Sequence, residues 1–177
     1  MIKNIAVIGC GHWGKNLVRN FAELGLLAAV CDPDKDLANR YAHQYEVANL
    51  SFAGVLENPA IDGVVLAVPA PLHAAMAVEA MNAGKHVYVE KPLAMNGVEA
   101  EAMINSANTN NVRLMVGHLL QYHPVFIALR ELVYSGDLGA LSYIYSNRLS
   151  FGKVRSEEDV IWSFAPHDIS MILSLII

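Results

Sequence analysis

Residues 5–14 read Ile-Ala-Val-Ile-Gly-Cys-Gly-His-Trp-Gly, an apolar run that leads directly into a Gly-x-Gly-x-x-Gly motif. The run predicts a buried β-strand, and the residues behind the motif have the spacing of an amphipathic helix. In such a strand–turn–helix Gly9 forms the tight turn, Gly11 lets the backbone approach a pyrophosphate, and Gly14 lets the helix pack closely. The motif therefore predicts a dinucleotide-binding α/β fold.

Asp32 is the residue that we expect to select the cofactor, because it ends a second apolar run at residues 26–32. A carboxylate there accepts hydrogen bonds from the adenosine ribose hydroxyls and repels a 2′-phosphate, so NAD(H) is favoured over NADP(H). Lys35 and Arg40 are the nearby cations that would favour NADP(H) instead. The alternative for Asp32 is a solvated aspartate that only precedes the turn at Pro33.

Composition excludes several classes of partner. The chain has 177 residues, a net charge of −5 and no basic block, so neither nucleic acid nor a membrane surface is expected to bind it. Its 54% hydrophobic content suits a parallel sheet buried on both faces, and no apolar run reaches the ~20 residues of a membrane span. We therefore expect a cytoplasmic protein, in which Cys10 and Cys31 are reduced buried thiols, although a disulfide is the alternative.

The chain divides by pattern into two parts. Strand and helix patterns alternate up to Gly117, which predicts a parallel sheet. The predicted strands are 5–8, 26–32, 47–49, 62–68, 86–89 and 112–116, and the predicted helices are 12–24, 34–45, 51–57, 72–82 and 97–108. The pattern then changes to a helix at 125–134, a strand at 141–151 and a helix from Pro166. We expect a Rossmann domain at residues 1–118 and an incomplete substrate and oligomerisation domain at 119–177.

The last apolar run, residues 169–177, predicts an amphipathic helix that stops without a cap, a glycine or a charge. One strand also cannot form a stable sheet by itself. Both features lead us to expect the N-terminal part of a longer protein.

Two further segments carry a family resemblance. Residues 69–73 read Pro-Ala-Pro-Leu-His, and residues 83–94 read Ala-Gly-Lys-His-Val-Tyr-Val-Glu-Lys-Pro-Leu-Ala. Together with residues 117–124 and 167–168 they resemble the Gfo/Idh/MocA oxidoreductases, in which a strand of the nucleotide-binding sheet ends in Glu-Lys-Pro. The resemblance implies an NAD(P)-dependent dehydrogenase that acts on CH–OH donors. It also implies a second α+β domain on a large, mainly antiparallel sheet, and a homo-oligomer when the protein is full length.

Lys91 is the first candidate catalytic residue. A lysine at the carboxyl end of a sheet strand lies in the crevice where open α/β folds bind ligands. Its ammonium can donate a hydrogen bond to a substrate hydroxyl and stabilise the negative charge that develops on that oxygen. The alternative is an ion pair with Glu90. The resemblance favours catalysis, and it implies that the Lys91–Pro92 peptide is often cis.

His167 is the second candidate, and the resemblance gives it a role as base beside the lysine. The aspartate that the family commonly has four residues earlier is replaced by Ser163. Pro166 predicts the helix start, where the helix dipole would keep the His167 ring neutral. Asp168 would point roughly 100° away from it. A structural helix-start histidine is the alternative.

The predicted binding residues form two groups, one for the cofactor and one for the substrate. The predicted cofactor-binding residues are Gly9, Gly11, His12, Trp13, Gly14, Asp32, Pro69, His73, Glu90 and Lys91. His73 has an equally favoured role in helix-start packing. The predicted substrate residues are Gln121, Tyr122, His123 and Arg148, with Arg155 as a second candidate for a substrate diphosphate. No pair of residues has metal-ligand spacing, so no metal is expected.

The motif details most resemble the branch of the family that oxidises the 3-hydroxyl of nucleotide-linked N-acetylated sugars, of the UDP-N-acetylglucosamine or glucosaminuronate type. Two alternatives stay open at this point. One is a dehydrogenase of a free sugar or of a polyol such as an inositol, and the other is a non-catalytic NAD-binding fragment.

Overall fold

A computed structural model of the chain describes residues 4–149 and 160–176. The chain divides into two compact units, Met1–Val116 and Gly117–Ile177. The division falls two residues before the domain boundary that the sequence predicts at residue 118.

The first unit is built on one six-stranded parallel sheet. Its strands are β1 (Ile5–Ile8), β2 (Leu27–Cys31), β3 (Ala48–Asn49), β4 (Gly63–Leu66), β5 (His86–Val89) and β6 (Leu114–Val116). They lie in the order β3-β2-β1-β4-β5-β6. The strand order therefore runs outward in opposite directions from the central pair, β1 and β4. This Rossmann order confirms the predicted fold class, and it brings the carboxyl ends of all six strands to one edge, where ligands of such sheets bind.

Five helices connect these strands: α1 (Gly14–Glu23), α2 (Lys35–Tyr45), α3 (Phe52–Glu57), α4 (His73–Asn82) and α5 (Gly97–Thr109). Three of them begin at a polar side chain that accepts hydrogen bonds from the first-turn amides. These caps are Asp34 for α2, Ser51 for α3 and Asn96 for α5. Such caps satisfy amides that have no partner within the helix, which explains why the helix starts follow the sequence closely.

The core lies on both faces of the sheet. Alternate residues of β1 belong to different clusters: Ile5 and Val7 pack with Leu17 and Val18 of α1, whereas Ala6 and Ile8 lie in the cluster on the other side. That other cluster includes Val55, Ala77, Ala80, Met81 and Met103 from α3, α4 and α5. A sheet covered on both faces needs apolar residues at every position, which is why the strands read as continuous apolar runs.

The second unit contains α6 (Pro124–Ser135) and α7 (Val160–Ile176), preceded by a 3-10 turn at Leu119–Tyr122. The two helices are joined by the Tyr134 hydroxyl, which donates to the carbonyl of Ser174 at 2.5 Å. The strand predicted at 141–151 is wrong over its described part, since residues 141–149 are exposed and pair with no strand. Nothing described in this unit supplies the neighbour that a strand needs. Residues 150 and 151 lie outside the described residues.

The predicted start of the last helix is also wrong. α7 runs from Val160, so Pro166 lies inside it and His167 stands near its middle. A proline inside a helix has no amide to donate to the carbonyl four residues earlier. The charge of the helix N-terminus acts only within the first turn, so it does not set the protonation of His167 as the sequence suggested.

Both cysteines are buried free thiols, as predicted. Among the helices of the described residues, none combines the length and the apolar character that crossing a membrane requires.

Candidate active site

The glycine loop between β1 and α1 has the geometry that its motif predicts. Gly9 has φ +90°, and a Cβ placed on it would lie 2.5 Å from the carbonyl oxygen of Ala67. A Cβ on Gly14 would collide with the carbonyl oxygen of Gly9. A Cβ on Gly11 meets nothing within 4 Å. The outer two glycines are thus required by the fold, while the middle one borders open space.

The N-terminus of α1 differs from those of α2, α3 and α5. Its N-cap residue, Trp13, makes no side-chain hydrogen bond to the first-turn amides, and no acidic residue stands in the first turn. The side chains of His12 and Trp13 are exposed beside it. Uncapped amides at a helix N-terminus bind phosphate, since their N–H groups and the helix dipole both favour an anion. The loop therefore fits the pyrophosphate of a dinucleotide.

Asp32, just after β2, has a contact that sequence reasoning missed. One carboxylate oxygen accepts a hydrogen bond from the amide of Cys10 at 2.7 Å, and the other accepts from the amide of Asp34 at 2.9 Å. The side chain thus connects the glycine loop to the cap of α2. A carboxylate has about four acceptor positions, so two remain for ribose hydroxyls.

The thiol of Cys10 lies inside this loop and is 1% exposed. Burial, and after it the charge of Asp32, raises the pKa of Cys10 to about 12. Burial likewise raises the pKa of Cys31. Because the thiolate is the reactive form, neither thiol is suited to nucleophilic chemistry at neutral pH.

The segment at residues 83–94 holds two lysines at opposite ends of β5. Lys85, before the strand, is 5% exposed and donates to the carbonyls of Asn58 and Ile61 at 2.7 and 2.8 Å. Burial lowers its pKa. Lys91 follows the strand, at the ligand-binding edge of the sheet, and its peptide bond to Pro92 is cis. Lys85 is therefore a structural residue, and Lys91 alone of the two stands at the candidate site.

Glu90 is buried beside Lys91. Its carboxylate accepts from the hydroxyl of Tyr88 at 3.0 Å and from the amide of Lys91 at 3.3 Å. These contacts fix the position of the backbone just before Lys91.

Pro69, predicted as a cofactor contact, is exposed at the turn after β4, on the same edge of the sheet.

His73, at the start of α4, lies in the interior at 1% exposure. Its Nδ1 lies 2.7 Å from the carbonyl oxygen of Pro92, and its Nε2 lies 2.9 Å from that of Val68. Both ring nitrogens thus face carbonyls of the protein itself. Of the two roles predicted for His73, the geometry corresponds to packing at the helix start and leaves no nitrogen for a nucleotide.

In the second unit, the ring of His167 lies against the ring of His118. Their centroids are 6.1 Å apart and their planes cross at 81°, an edge-to-face contact. Sequence reasoning did not select His118, because nothing local relates two residues so far apart in the chain. The second unit therefore presents a pair of histidines where a single one was expected.

Asp168 follows His167 in α7 and forms an ion pair with Arg148. Its carboxylate accepts from Nε of Arg148 at 2.7 Å and from the hydroxyl of Ser146 at 2.9 Å. The hydrogen bond from Arg148 is the main reason why the pKa of Asp168 lies below its usual range. Arg148, predicted to bind substrate, is thus engaged in an ion pair.

The other predicted substrate residues have varied surroundings. Gln121 donates through Nε2 to the carbonyl and the hydroxyl of Ser170 at 2.6 and 3.0 Å, which ties the 3-10 turn to α7. His123 caps α6 by accepting from the amide of Val125 at 3.3 Å. Tyr122 is 64% exposed. Arg155 lies outside the described residues.

Within the described ranges no cluster of histidine, cysteine and acidic residues could hold a metal.

Strand order, glycine loop and helix N-terminus together define a dinucleotide-binding Rossmann protein. The profile of the Gfo/Idh/MocA oxidoreductases, described as an oxidoreductase family with an NAD-binding Rossmann fold, matches residues 3–118. The chain belongs to this family.

Two curated relatives show the range of activities in the family. The chain is 32% identical over 170 residues to UDP-N-acetylglucosamine 3-dehydrogenase of Acidithiobacillus ferrooxidans, covering 96% of this chain and 53% of the relative. It is 31% identical over 144 residues to scyllo-inositol 2-dehydrogenase (NAD(+)) of Bacillus subtilis, covering 78% and 42%. The chain thus spans about half the length of the curated relatives it matches.

Solved structures agree with the fold. An NAD-binding protein from Listeria innocua superposes with a TM-score of 0.82 over 98% of this chain and 54% of its own, at 22% identity. The A. ferrooxidans UDP-N-acetylglucosamine 3-dehydrogenase superposes with a TM-score of 0.69 at 32% identity, over 74% of this chain and 43% of its own.

Proposed function

We propose that this chain is the cofactor-binding half of an NAD-dependent dehydrogenase that oxidises the C3 hydroxyl of a nucleotide-linked N-acetylated sugar. The observation that carries the proposal is the glycine loop. Two of its glycines are required by backbone contacts, the third borders open space, and the helix behind it begins without a side-chain cap. This combination suits a ligand that carries a pyrophosphate.

The preference for NAD over NADP rests on Asp32. Its carboxylate has two acceptor positions left for ribose hydroxyls, and its charge would repel a 2′-phosphate. Of the cations that could offset this charge, Arg40 lies over the ring of Tyr41, 5.1 Å from its centroid. Lys35 is exposed at the first residue of α2. The charges nearest to the ribose position therefore favour NAD(H).

Two side chains, Lys91 and His167, have separate roles in the proposed reaction. Bound NAD⁺ supplies the nicotinamide carbon that accepts the hydride. Lys91 donates a hydrogen bond to the substrate oxygen and stabilises the negative charge that develops on it. The family resemblance assigns the role of proton acceptor to His167, and an imidazole is suited to that role near neutral pH.

The substrate class rests on resemblance, supported by the A. ferrooxidans relative, whose match extends over 96% of this chain. The inositol dehydrogenase of B. subtilis, at 31% identity, supports a polyol as the second candidate. Only the nucleotide sugar carries a nucleoside diphosphate, so a comparison of both substrates separates the two candidates.

Binding of NADH and of NADPH to this chain, followed by calorimetry, tests the cofactor assignment. We expect NADH to bind at least 10-fold more tightly than NADPH, because one charge repulsion of about 1.4 kcal/mol corresponds to that factor. A folded chain that binds neither nucleotide would refute the assignment.

The catalytic assignment is tested on the whole dehydrogenase of which we propose this chain to be a part. The enzyme is incubated with NAD⁺ and either UDP-N-acetylglucosamine or scyllo-inositol, and NADH absorbance is recorded. Lys91→Met should abolish NADH formation. Arg19→Met, which removes an exposed cation of α1, should leave it unchanged. Equal rates for wild type and Lys91→Met would contradict the role of Lys91.

A further inference from the structure

His73 occupies an unusual place between two neighbouring turns. The first turn follows β4 and contains Val68, and the second follows β5 and contains Pro92. The ring is 1% exposed, and each of its nitrogens lies within 2.9 Å of one carbonyl from these turns. A carbonyl oxygen can only accept, so a ring nitrogen that carries a proton donates to the carbonyl that it faces.

The hydrogen-bond ladder between β4 and β5 explains why a side chain is needed there. The amide of His86 donates to the carbonyl of Asp62, and the amide of Glu90 donates to that of Leu66, both at 3.0 Å. In a parallel ladder every second amide repeats this pattern, so the next donor to Val68 would be residue 92. That residue is a proline, which has no amide hydrogen. The ring of His73 lies at the position of this missing donor, with Nε2 2.9 Å from the carbonyl oxygen of Val68.

The same ring also lies against the carbonyl of Pro92, one residue beyond Lys91, with Nδ1 2.7 Å from the oxygen. On the other side of Lys91, the amide of Glu90 is held by Leu66 at 3.0 Å. The backbone that carries Lys91 is thus anchored on both sides, by a ladder bond before it and by the imidazole after it. Loss of the ring would free the second anchor and leave the first in place.

We propose that His73 is a positioning residue for Lys91, which replaces the amide that Pro92 lacks and thereby fixes the turn from which the lysine reaches the substrate. This inference rests on the proposed function, in which Lys91 contacts the substrate oxygen. It gives His73, the last residue of the Pro-Ala-Pro-Leu-His segment, a role in catalysis without contact to the substrate or the cofactor.

The experiment reads the surroundings of Lys91 directly. Lysine amines of the chain are labelled by reductive ¹³C-methylation, and the NMR signal of Lys91 is identified by its absence in Lys91→Arg. We expect His73→Phe, which keeps the ring volume but removes both nitrogens, to shift and broaden that signal while the other lysine signals stay in place. His73→Gln, which offers one side-chain N–H donor group, should give a smaller shift.

His86→Asn is the matched control. His86 lies at the opposite end of β5 from Lys91, and its ring accepts a hydrogen bond from the amide of Arg113. This variant should leave the Lys91 signal unchanged. An unchanged Lys91 signal in a folded His73→Phe or His73→Gln chain would overturn the proposal. If His73→Phe does not fold, His73→Gln decides the question alone.

Titration of the same samples with NADH separates this proposal from the function on which it rests. We expect His73→Gln to bind NADH within about 3-fold of wild type, since both ring nitrogens face the protein interior. A wild-type chain that binds no NADH would refute the proposed function, while the shift of the Lys91 signal would still decide the role of His73. A 100-fold loss of NADH affinity in folded His73→Gln would instead assign the ring to cofactor binding and overturn the proposal.

Discussion

The carboxylate of Asp32 and the backbone amide of Cys10 form a 2.7 Å hydrogen bond that joins the end of β2 to the glycine loop. The residue that we assign to the ribose therefore also braces the loop that we assign to the pyrophosphate. Substitution of Asp32 acts on both halves of the cofactor, and a change of nucleotide preference at this position is expected to cost affinity.

Removal of the Asp32 side chain should weaken NADH binding by about 10- to 100-fold, because a hydrogen bond to a charged group contributes about 1.5–3 kcal/mol. Calorimetric titration of Asp32→Ala measures this loss. Asp32→Asn, which keeps one acceptor oxygen, should lie between Asp32→Ala and wild type. Asp36→Asn, at an exposed position in α2, should have no effect. If Asp32→Ala gains NADPH affinity and keeps its NADH affinity, the bracing role is wrong.

Substitutions of two loop glycines should have different effects, one on the stability of the fold and the other on NADH binding. Gly14→Ala places a methyl group against the carbonyl oxygen of Gly9, so we expect it to lower the free energy of unfolding by roughly 3 kcal/mol. Gly11→Ala meets no atom of the chain within 4 Å and should leave stability unchanged while it weakens NADH binding. Urea unfolding and NADH titration of the two variants test this contrast. Equal stability of the two variants would contradict it.

Alkaline pH should destabilise the chain through Cys10. The thiol ionises near its ordinary pKa of 9.0 when unfolded but only near a pKa of about 12 when folded. Between these values the folded state binds more protons, so the free energy of unfolding falls as pH rises. The expected loss is about 1 kcal/mol between pH 9 and pH 10.

Urea unfolding of wild type and Cys10→Ala at pH 8, 9 and 10 measures this loss. The variant should show a smaller fall over this interval than wild type. Parallel pH profiles for the two chains would show that the Cys10 thiol does not carry the effect.

Arg148 should control the acidity of Asp168. Its hydrogen bond lowers the pKa of the Asp168 carboxyl, so Arg148→Gln should raise that pKa. With a depressed folded pKa, the contribution of the pair to stability is present above the ordinary value of 3.8 and is lost as pH falls below it. Carboxyl ¹³C NMR of Asp168 measures the change. Arg130→Gln in α6 is the control, and an equal pKa in both variants would refute the prediction.

The second unit shows where sequence reasoning reached its limit. The alternation at residues 141–151 predicts a strand, but alternation only describes which faces of a strand would be buried. A strand forms when a neighbour accepts its hydrogen bonds, and the described residues of this unit offer none. Pro166 similarly predicts a helix start from a local preference, although the helix continues through it.

The sequence by itself determined the succession of strands and helices in the first unit and the glycine loop between the first strand and helix. These features follow from the spacing of apolar residues and glycines along the chain, so local sequence is enough to predict them. Tertiary structure alone decided that Asp32 holds Cys10, that His73 reaches Pro92 and that His118 lies against His167. Those pairs are separated by long stretches of chain, and only the packing of strands and helices brings their atoms together.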